Sequence, residues 1–366
     1  MLRTLFLLLL LAHSLIHLMG FAKAFELASF TQLSTPISKP VGVFWLLTAL
    51  LLLIAALLFF LKNDAWWMLA VGGIVLSQWL IFAYWHDARY GTIANVLILL
   101  VLLPAAGTWQ FKKQIAADLH VFLPKVVPAA PVLTQAMVAG LPPIVQKWME
   151  FSQVIGKPMQ QFVSLHQTGQ MRLKPNGKWT SLTATQYFTV TNPGFIWMAD
   201  AGKPWMPMIA RDLYQEGKGH MLVKTMGLIT VANAQGPTID QGSMMRYLAE
   251  TCWFPSAALS AFVNWEAIDS LHAKATMRFG SVEASGVFNF DANGALKSFD
   301  ALRYYSQKGG DTLEKWHIEN DMSSVRTFDG VVIPTKSVVT WQLKDGDFSW
   351  LELEITDLKF NELPLQ

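Results

Sequence analysis

The sequence predicts an α-helical membrane bundle followed by an α+β domain, in which a curved antiparallel β-sheet forms a half-barrel that encloses, or is capped by, one helix. Three observations carry this: four apolar runs near the N-terminus, a C-terminal half made of short alternating segments between turn signals, and one helical stretch, Asp240 to Ser260, that interrupts the alternation. The chain of 366 residues is long enough for two or three domains, and 52% hydrophobic against 15% charged residues exceeds the soluble norm.

The apolar excess sits at the front. Before Gln110 there are five Lys/Arg and three Asp/Glu, which leaves 23 of each sign in the remainder. A neutral remainder has no electrostatic footprint for nucleic acid, so no nucleic-acid partner is expected. The single Cys252 excludes an intramolecular disulfide and a thiolate-rich zinc site, and is compatible with either side of a bacterial inner membrane.

Leu2 to Phe21, Val41 to Leu61, Ala65 to Trp85 and Thr92 to Phe111 can each cross about 30 Å of hydrocarbon as a helix. The first has some traits of a signal peptide, since Arg3 precedes LFLLLLLA and Ala22-Lys23-Ala24 faintly resembles a cleavage site, but His13 and His17 interrupt its apolar stretch. Residues 1–111 are therefore assigned to a four-helix transmembrane domain of a multi-pass inner-membrane protein. Four spans return the chain to the side of its N-terminus, and a cleaved leader with three spans gives the same placement. Arg3, Lys62, Lys112 and Lys113 on that side, against Lys23, Lys39 and Arg89 on the other, lean weakly toward the cytoplasm. Trp66, Trp67 and Trp85 sit at span ends as interfacial anchors.

By span direction, His17, His86, Asp87, Arg89 and Asn95 share the membrane face away from the C-terminal region, with His13 and Gln78 deeper; His13 and His17 share one helical face by their i,i+4 spacing. Ionisable groups are costly in lipid, so this polar cluster is the bundle's functional candidate. The structural alternative, hydrogen bonding between helices, is the default, because two histidines with no further identified ligand are a weak metal or haem signal.

Residues 112–158 read as a connector with short helices, punctuated by Pro124, Pro128, Pro131, Pro142 and Pro143. From residue 159 to 366 the turns PNG, NPG, EGKG, DANG, DG and KDGD separate about nine to eleven strands of an antiparallel meander. In LHAKATMRF, residues Leu271, Ala273, Ala275, Met277 and Phe279 alternate with His272, Lys274, Thr276 and Arg278, so one face is covered and the other wet.

The helix at 240–260, bent at Pro255, carries Met244, Leu248 and Cys252 on one row, Tyr247, Thr251 and Phe254 on another, and Arg246, Glu250 and Trp253 on a third. With so little ordinary solvent face, it must be enclosed by a curved sheet or cover its mouth. The string RYLAETCWFPSA, preceded by ANAQGPTIDQG and followed by VNWEAIDSLHAKATM and GVFNFDANGALKSFDALRYY, resembles an uncharacterised bacterial family of unknown function across roughly Leu141 to Phe360. LIHLMGFAKAF and HDARYGTIAN resemble the four-helix transmembrane extension of some of its members. That resemblance implies no catalytic residues. A more distant architectural likeness is to the lipoprotein-carrier half-barrels, which hold acyl chains in an apolar concavity; those carriers are periplasmic, against the cytoplasmic lean.

The chain has no G-x-S-x-G, H-E-x-x-H or Walker signature, and EGKGHM lacks the third glycine of a dinucleotide fingerprint. No cofactor, metal or catalytic residue is assigned, and the enzyme reading leans to no. His120 lies in the connector and His166, His220, His272 and His317 are scattered singly on strands, while Glu352 and Glu354 alternate with apolar residues as a solvated face. The candidate ligand-binding residues are Arg246, Glu250, Trp253, Trp265, Asp212, Tyr214, Arg303 and Tyr304. Arg246 and Glu250 can form an ordinary i,i+4 ion pair worth about 0.3 to 0.5 kcal/mol. Alternatively, Arg246 faces an apolar cavity lined by Trp253, Trp265 and Tyr304 and binds the carboxylate or phosphate of an amphiphile, in which case Arg246→Ala weakens binding and leaves the fold intact. Trp197, Trp205, Trp316, Trp341 and Trp350 are read mainly as core. The leading function is a membrane-anchored protein binding a lipid or other amphiphile in the half-barrel, with the bilayer as its other partner and its oligomeric state open. The alternatives are an enzyme on a membrane-derived substrate and a structural or partner-docking module.

Overall fold

The computed structural model describes residues 1–127, 129–203, 206–307 and 309–364, so Pro128 of the connector and Trp205 of the sheet region lie outside the described residues. The chain divides into two compact units, one of Met1–Lys113 and Met226–Leu228, the other of Gln114–Thr225 and Ile229–Gln366.

The first unit holds α1 (Leu2–Ala24), α2 (Lys39–Phe60), α3 (Trp66–Ala83), the short α4 (Trp85–Ala88) and most of α5 (Gly91–Phe122). Helices α1, α2, α3 and α5 are long and apolar enough to cross a membrane. In lipid the apolar effect does not drive helices together, so close backbone approach and buried polar contacts must. Both occur here. A Cβ placed on Gly20 would collide with the Trp45 ring, and Ser14 Oγ donates to the Ala49 carbonyl at 2.7 Å, fastening α1 to α2. Helix α5 carries Pro104 in its interior and continues to Phe122, past the expected end at Phe111.

The second unit begins with the last turns of α5, then α6 (Gln135–Val138) and α7 (Pro143–Phe151), which opens on its proline. Strands β1 (Phe162–Met171), β2 (Thr180–Thr189), β3 (Gly194–Lys203), β4 (Met206–Gln215), β5 (Lys218–Thr225) and β6 (Ile229–Gln235) form a meander. Helix α8 (Pro237–Glu250) follows, then β7 (Val263–Ala267), β8 (His272–Phe279), β9 (Val282–Phe290), β10 (Leu296–Gln307) and β11 (Gly310–Asn320). A side hairpin, β12 (Val325–Phe328) and β13 (Val331–Pro334), precedes β14 (Lys336–Leu343) and β15 (Gly346–Phe360). The fifteen strands among the described residues exceed the nine to eleven expected, because turns lacking Gly-Asn signals, such as that between β7 and β8, are invisible to a turn count.

Thirteen strands make one antiparallel sheet in the order β6-β5-β4-β3-β2-β1-β15-β14-β11-β10-β9-β8-β7. Helix α8 packs against β4, β5 and β6 from one limb of this sheet and β8, β9 and β10 from the other. One helix can touch both limbs only if the sheet curls around it, so the half-barrel fold inferred from the helix's crowded circumference is borne out. On β8 Ala273, Ala275 and Met277 are buried while Arg278 is exposed; Thr276, expected on the wet side, is buried against Ser285. The stretch 240–260 is not one helix. Entry is at Gly236 in a positive-φ conformation; α8 stops at Glu250, and 3-10 turns Thr251–Trp253 and Pro255–Leu259 finish the segment, since Pro255 cannot continue the helical hydrogen-bond ladder.

Candidate functional site

Strand parity decides what faces α8. Cross-strand register places Ala184 of β2, Ala199 of β3, Ala210 of β4, Val223 of β5 and Ala232 of β6 in one row. Small side chains along this row cannot reach the helix, and a cavity of about 450 Å³ remains in the concavity. That size falls within the roughly 300 to 1,000 Å³ typical of small-molecule sites. Most of its wall is apolar, with Met171, Met208, Met221, Phe299, Trp341 and Phe348 among the contributors.

The adjacent row on the same face carries Gln186, Trp197 and Asp212. These meet Arg246 and Glu250, which α8 presents one turn apart. Arg246 donates from Nε to Glu250 Oε1 at 2.7 Å and from Nη1 to Asp212 Oδ2 at 2.8 Å, while Gln186 donates to Glu250 Oε2 at 2.8 Å. Gln167 of β1 accepts from Trp197 Nε1 at 2.8 Å and extends the chain of polar groups across the sheet. The Arg246 guanidinium also lies 4.8 Å from the Phe195 ring centre and 5.1 Å from that of Trp197. Burial acts to lower its pKa, but Glu250 and Asp212 outweigh this and hold it above its ordinary value. For Glu250 burial wins, and the carboxyl is pushed up despite Arg246 and Gln186. Arg246 is therefore saturated by the protein: the ordinary i,i+4 pair is real, and it is buried and three-cornered rather than exposed.

Arg303 of β10 is placed differently. It lines the same cavity, lies 4.6 Å from the Trp316 ring centre and 6.0 Å from that of Trp341, and makes no hydrogen bond or ion pair with any described residue. Burial lowers its pKa to about 10, with Asp212 and Glu250 opposing and Arg246 adding to the fall, so it is charged at neutral pH. Arg303 is half-buried, and a cation there without a hydrogen-bond or ion-pair partner is unfavourable unless an anion or water completes it.

Of the expected ligand-binding residues, Arg246, Glu250, Asp212, Trp253, Arg303 and Tyr304 line this cavity. Trp265 and Tyr214 do not. Trp265 packs on Trp148 and Phe288 and donates to the Ala258 carbonyl, and Tyr214 is enclosed between Phe195 and Tyr247. Gln167, Gln186, Trp197 and the alanine row belong to the site and were not singled out from sequence. Their signal was parity: counting back along β4 from Tyr214 puts Asp212 and Ala210 on one face, but only the pairing register joins them to β2 and β3. Cys252 lines the cavity with its thiol pushed well above the ordinary range by burial, which leaves it protonated and unreactive. No group of three His, Cys, Asp or Glu suited to a metal occurs among the described residues.

Within the first unit, His13 Nε2 contacts Asn95 Oδ1 at 2.9 Å and Ser77 Oγ at 3.1 Å; Asn95 donates to Gln78 at 3.0 Å, and Gln78 to Thr92 at 3.2 Å. His17 Nδ1 bonds the His13 carbonyl at 2.9 Å. The cluster is split: Asp87 instead accepts from Ser34 Oγ and the Thr35 amide, at 2.7 and 2.9 Å, with His86 beside it, while Arg89 rests on Tyr90.

Fold and site together define a protein with four helices long and apolar enough to cross a membrane and a half-barrel domain holding an apolar, cation-bearing cavity. The chain belongs to DUF6920, a family of unknown function, whose sequence model matches residues 139–360. No curated protein matches the chain. Among solved structures it is similar to a DUF1329 family protein from Desulfovibrio piger, with 10% identity and a TM-score of 0.34 over 60% of this chain and 92% of that one.

Proposed function

We propose that this protein binds a lipid or similar amphiphile in the half-barrel cavity, anchored by its helices in a bacterial inner membrane. The observation that carries this reading is an apolar cavity of about 450 Å³ into which the protein brings one charged guanidinium, Arg303, that it does not itself neutralise. Apolar walls suit an acyl or isoprenoid chain, and Arg303 suits its carboxylate or phosphodiester group. Asp212 and Glu250, both bonded to Arg246, line the same cavity, so a monoanion is accommodated more readily than a dianion.

Binding is favoured over catalysis because both carboxylates at the cavity wall spend an oxygen on Arg246, which leaves neither poised as a base. Binding is favoured over a purely structural role because the concave face is not packed solid. A fluorescent fatty acid titrated into the purified full-length protein tests the reading: blue-shifted, saturable emission that unlabelled fatty acid or phosphatidylglycerol displaces supports it, and emission indistinguishable from detergent micelles alone refutes it. Four spans favour a domain on the side of the N-terminus, and the Lys/Arg distribution favours the cytoplasmic side; reporter fusions at the C-terminus and in the Lys23 to Lys39 loop test this, and periplasmic activity at the C-terminus overturns it.

A further inference from the structure

In the meander β1 to β6, antiparallel connection places the β1–β2, β3–β4 and β5–β6 turns along one edge and the β2–β3 and β4–β5 turns along the other. The two edges differ in chemistry. The first carries Leu173, Met206, Ile229 and Val231 at 65%, 51%, 60% and 52% exposure. Among the described residues of the opposite turns, 190–193 and 216–217, no large apolar side chain is exposed. Charge follows the same division. Residues 171–180, which hold the β1–β2 turn, contain Arg172, Lys174 and Lys178 and no Asp or Glu. The next hairpin along the sheet, β14–β15, carries Asp345 and Asp347 and ends the basic stretch.

Water offers nothing to compensate four apolar side chains exposed on the β1–β2 turn, the start of β4 and the edge strand β6, whereas the interface of an anionic leaflet accommodates both features, apolar tips entering the acyl boundary and cations resting among the headgroups. Leu173 and Val231 also line the cavity, so the cavity opens at this edge. The geometry points to the edge formed by the β1–β2 turn and the starts of β4 and β6 as a surface that docks on an anionic bilayer and through which an amphiphile enters the half-barrel. The entry route rests on the binding function proposed above; the docking stands without it.

The test uses the full chain in vesicles with an environment-sensitive fluorophore at Leu173→Cys, and at Asn192→Cys on the opposite edge as control. The native Cys252 is buried and stays unlabelled. In phosphatidylcholine vesicles containing phosphatidylglycerol, the label at 173 shifts to the blue and is quenched by lipids brominated on their acyl chains, while the label at 192 is not. Each of Lys174→Gln and Lys178→Gln lowers the docked-to-undocked ratio about fivefold in these vesicles, and high salt acts likewise. A label at 173 as water-exposed as that at 192 overturns the docking surface. Quenching at 173 that is unchanged by phosphatidylglycerol, salt and both lysine variants overturns its recognition of anionic lipid. Saturable fatty-acid binding with no docking at 173 leaves the proposed function standing and removes only this inference.

Discussion

The Arg303 guanidinium lies against Gly242 on α8, where a Cβ would come within 3.3 Å of Arg303 Nε. The helix is bare there, and the cation of β10 fills the gap, held between the helix backbone and the face of Trp316. Gly242 has helical backbone geometry, so a side chain is tolerated by the backbone and excluded by the cation. Gly242→Leu is expected to displace Arg303 and occupy the cavity, weakening fatty-acid binding by at least about tenfold, or 1.4 kcal/mol. Gly242→Ala forces a shift of only a few tenths of an ångström and gains up to about 1 kcal/mol of helix propensity. Titration of both variants with the fluorescent fatty acid, alongside thermal melts, checks this; unaltered binding by Gly242→Leu removes Arg303 from the site.

Arg246 and Arg303 separate cleanly by stability. Removing Arg246 strands Asp212 and Glu250, both buried, and Arg246→Ala is expected to destabilise the half-barrel by about 3 to 5 kcal/mol. These buried ion pairs argue against the expectation that Arg246→Ala leaves the fold intact. Arg303→Gln breaks no hydrogen bond or ion pair among the described residues and loses only its contact with the Trp316 ring, so it is expected to cost about 1 kcal/mol or less. Equal destabilisation by the two variants, measured by thermal or denaturant unfolding, would sink the distinction.

On the convex side of the same strand, Asp300 Oδ1 lies 2.7 Å from His317 Nδ1. Hydrogen bonding to Asp300 raises the His317 pKa above 6.5, and hydrogen bonding to His317 lowers the Asp300 pKa below 3.8. The raised histidine contributes stability that is fully present below pH 6.5 and lost as pH rises through its folded value. The lowered carboxyl contributes stability present above pH 3.8 and lost as pH falls through its folded value. A double-mutant cycle with Asp300→Asn and His317→Gln should therefore show coupling at pH 5 that fades by pH 9, and coupling that grows with pH contradicts the assignment.

The membrane network predicts small effects for polar deletions and larger ones for crowding. Asn95→Leu removes the partner shared by His13 and Gln78 and is expected to cost about 0.6 kcal/mol, up to roughly 1.7. Gly20→Leu drives a side chain into Trp45 and is expected to cost more, about 1 to 3 kcal/mol. Unfolding in mixed micelles ranks the two, and the reverse order argues that the network joining α1, α3 and α5 contributes more than the close packing of α1 on α2.

The legible part of this fold was the part written locally. Span length identified four helices, and the crowded circumference of Met244, Tyr247, Leu248, Glu250 and Trp253 required an enclosing sheet before any strand pairing was known. The site was less legible because it depends on register. Arg246 stood out by its i,i+4 partner, yet that partner, with Asp212, is why it has no charge to offer. Arg303 was visible only as one residue of LRYYSQ, and its significance comes from β10 lying across the concavity from β4. The cavity owes its existence to residues with no signal at all, a row of four alanines and one valine whose smallness matters only when five strands align them.

Photo-crosslinking with a fatty acid carrying a diazirine in its tail, followed by peptide mapping of the full-length protein, tests the central claim most directly. The account predicts crosslinks to Met208, Met221, Ala199 and neighbouring cavity residues of the half-barrel, sharply reduced in Arg303→Gln and competed by unlabelled fatty acid. Crosslinks confined to the lipid-facing surfaces of α1, α2, α3 and α5, unchanged in Arg303→Gln, would contradict it.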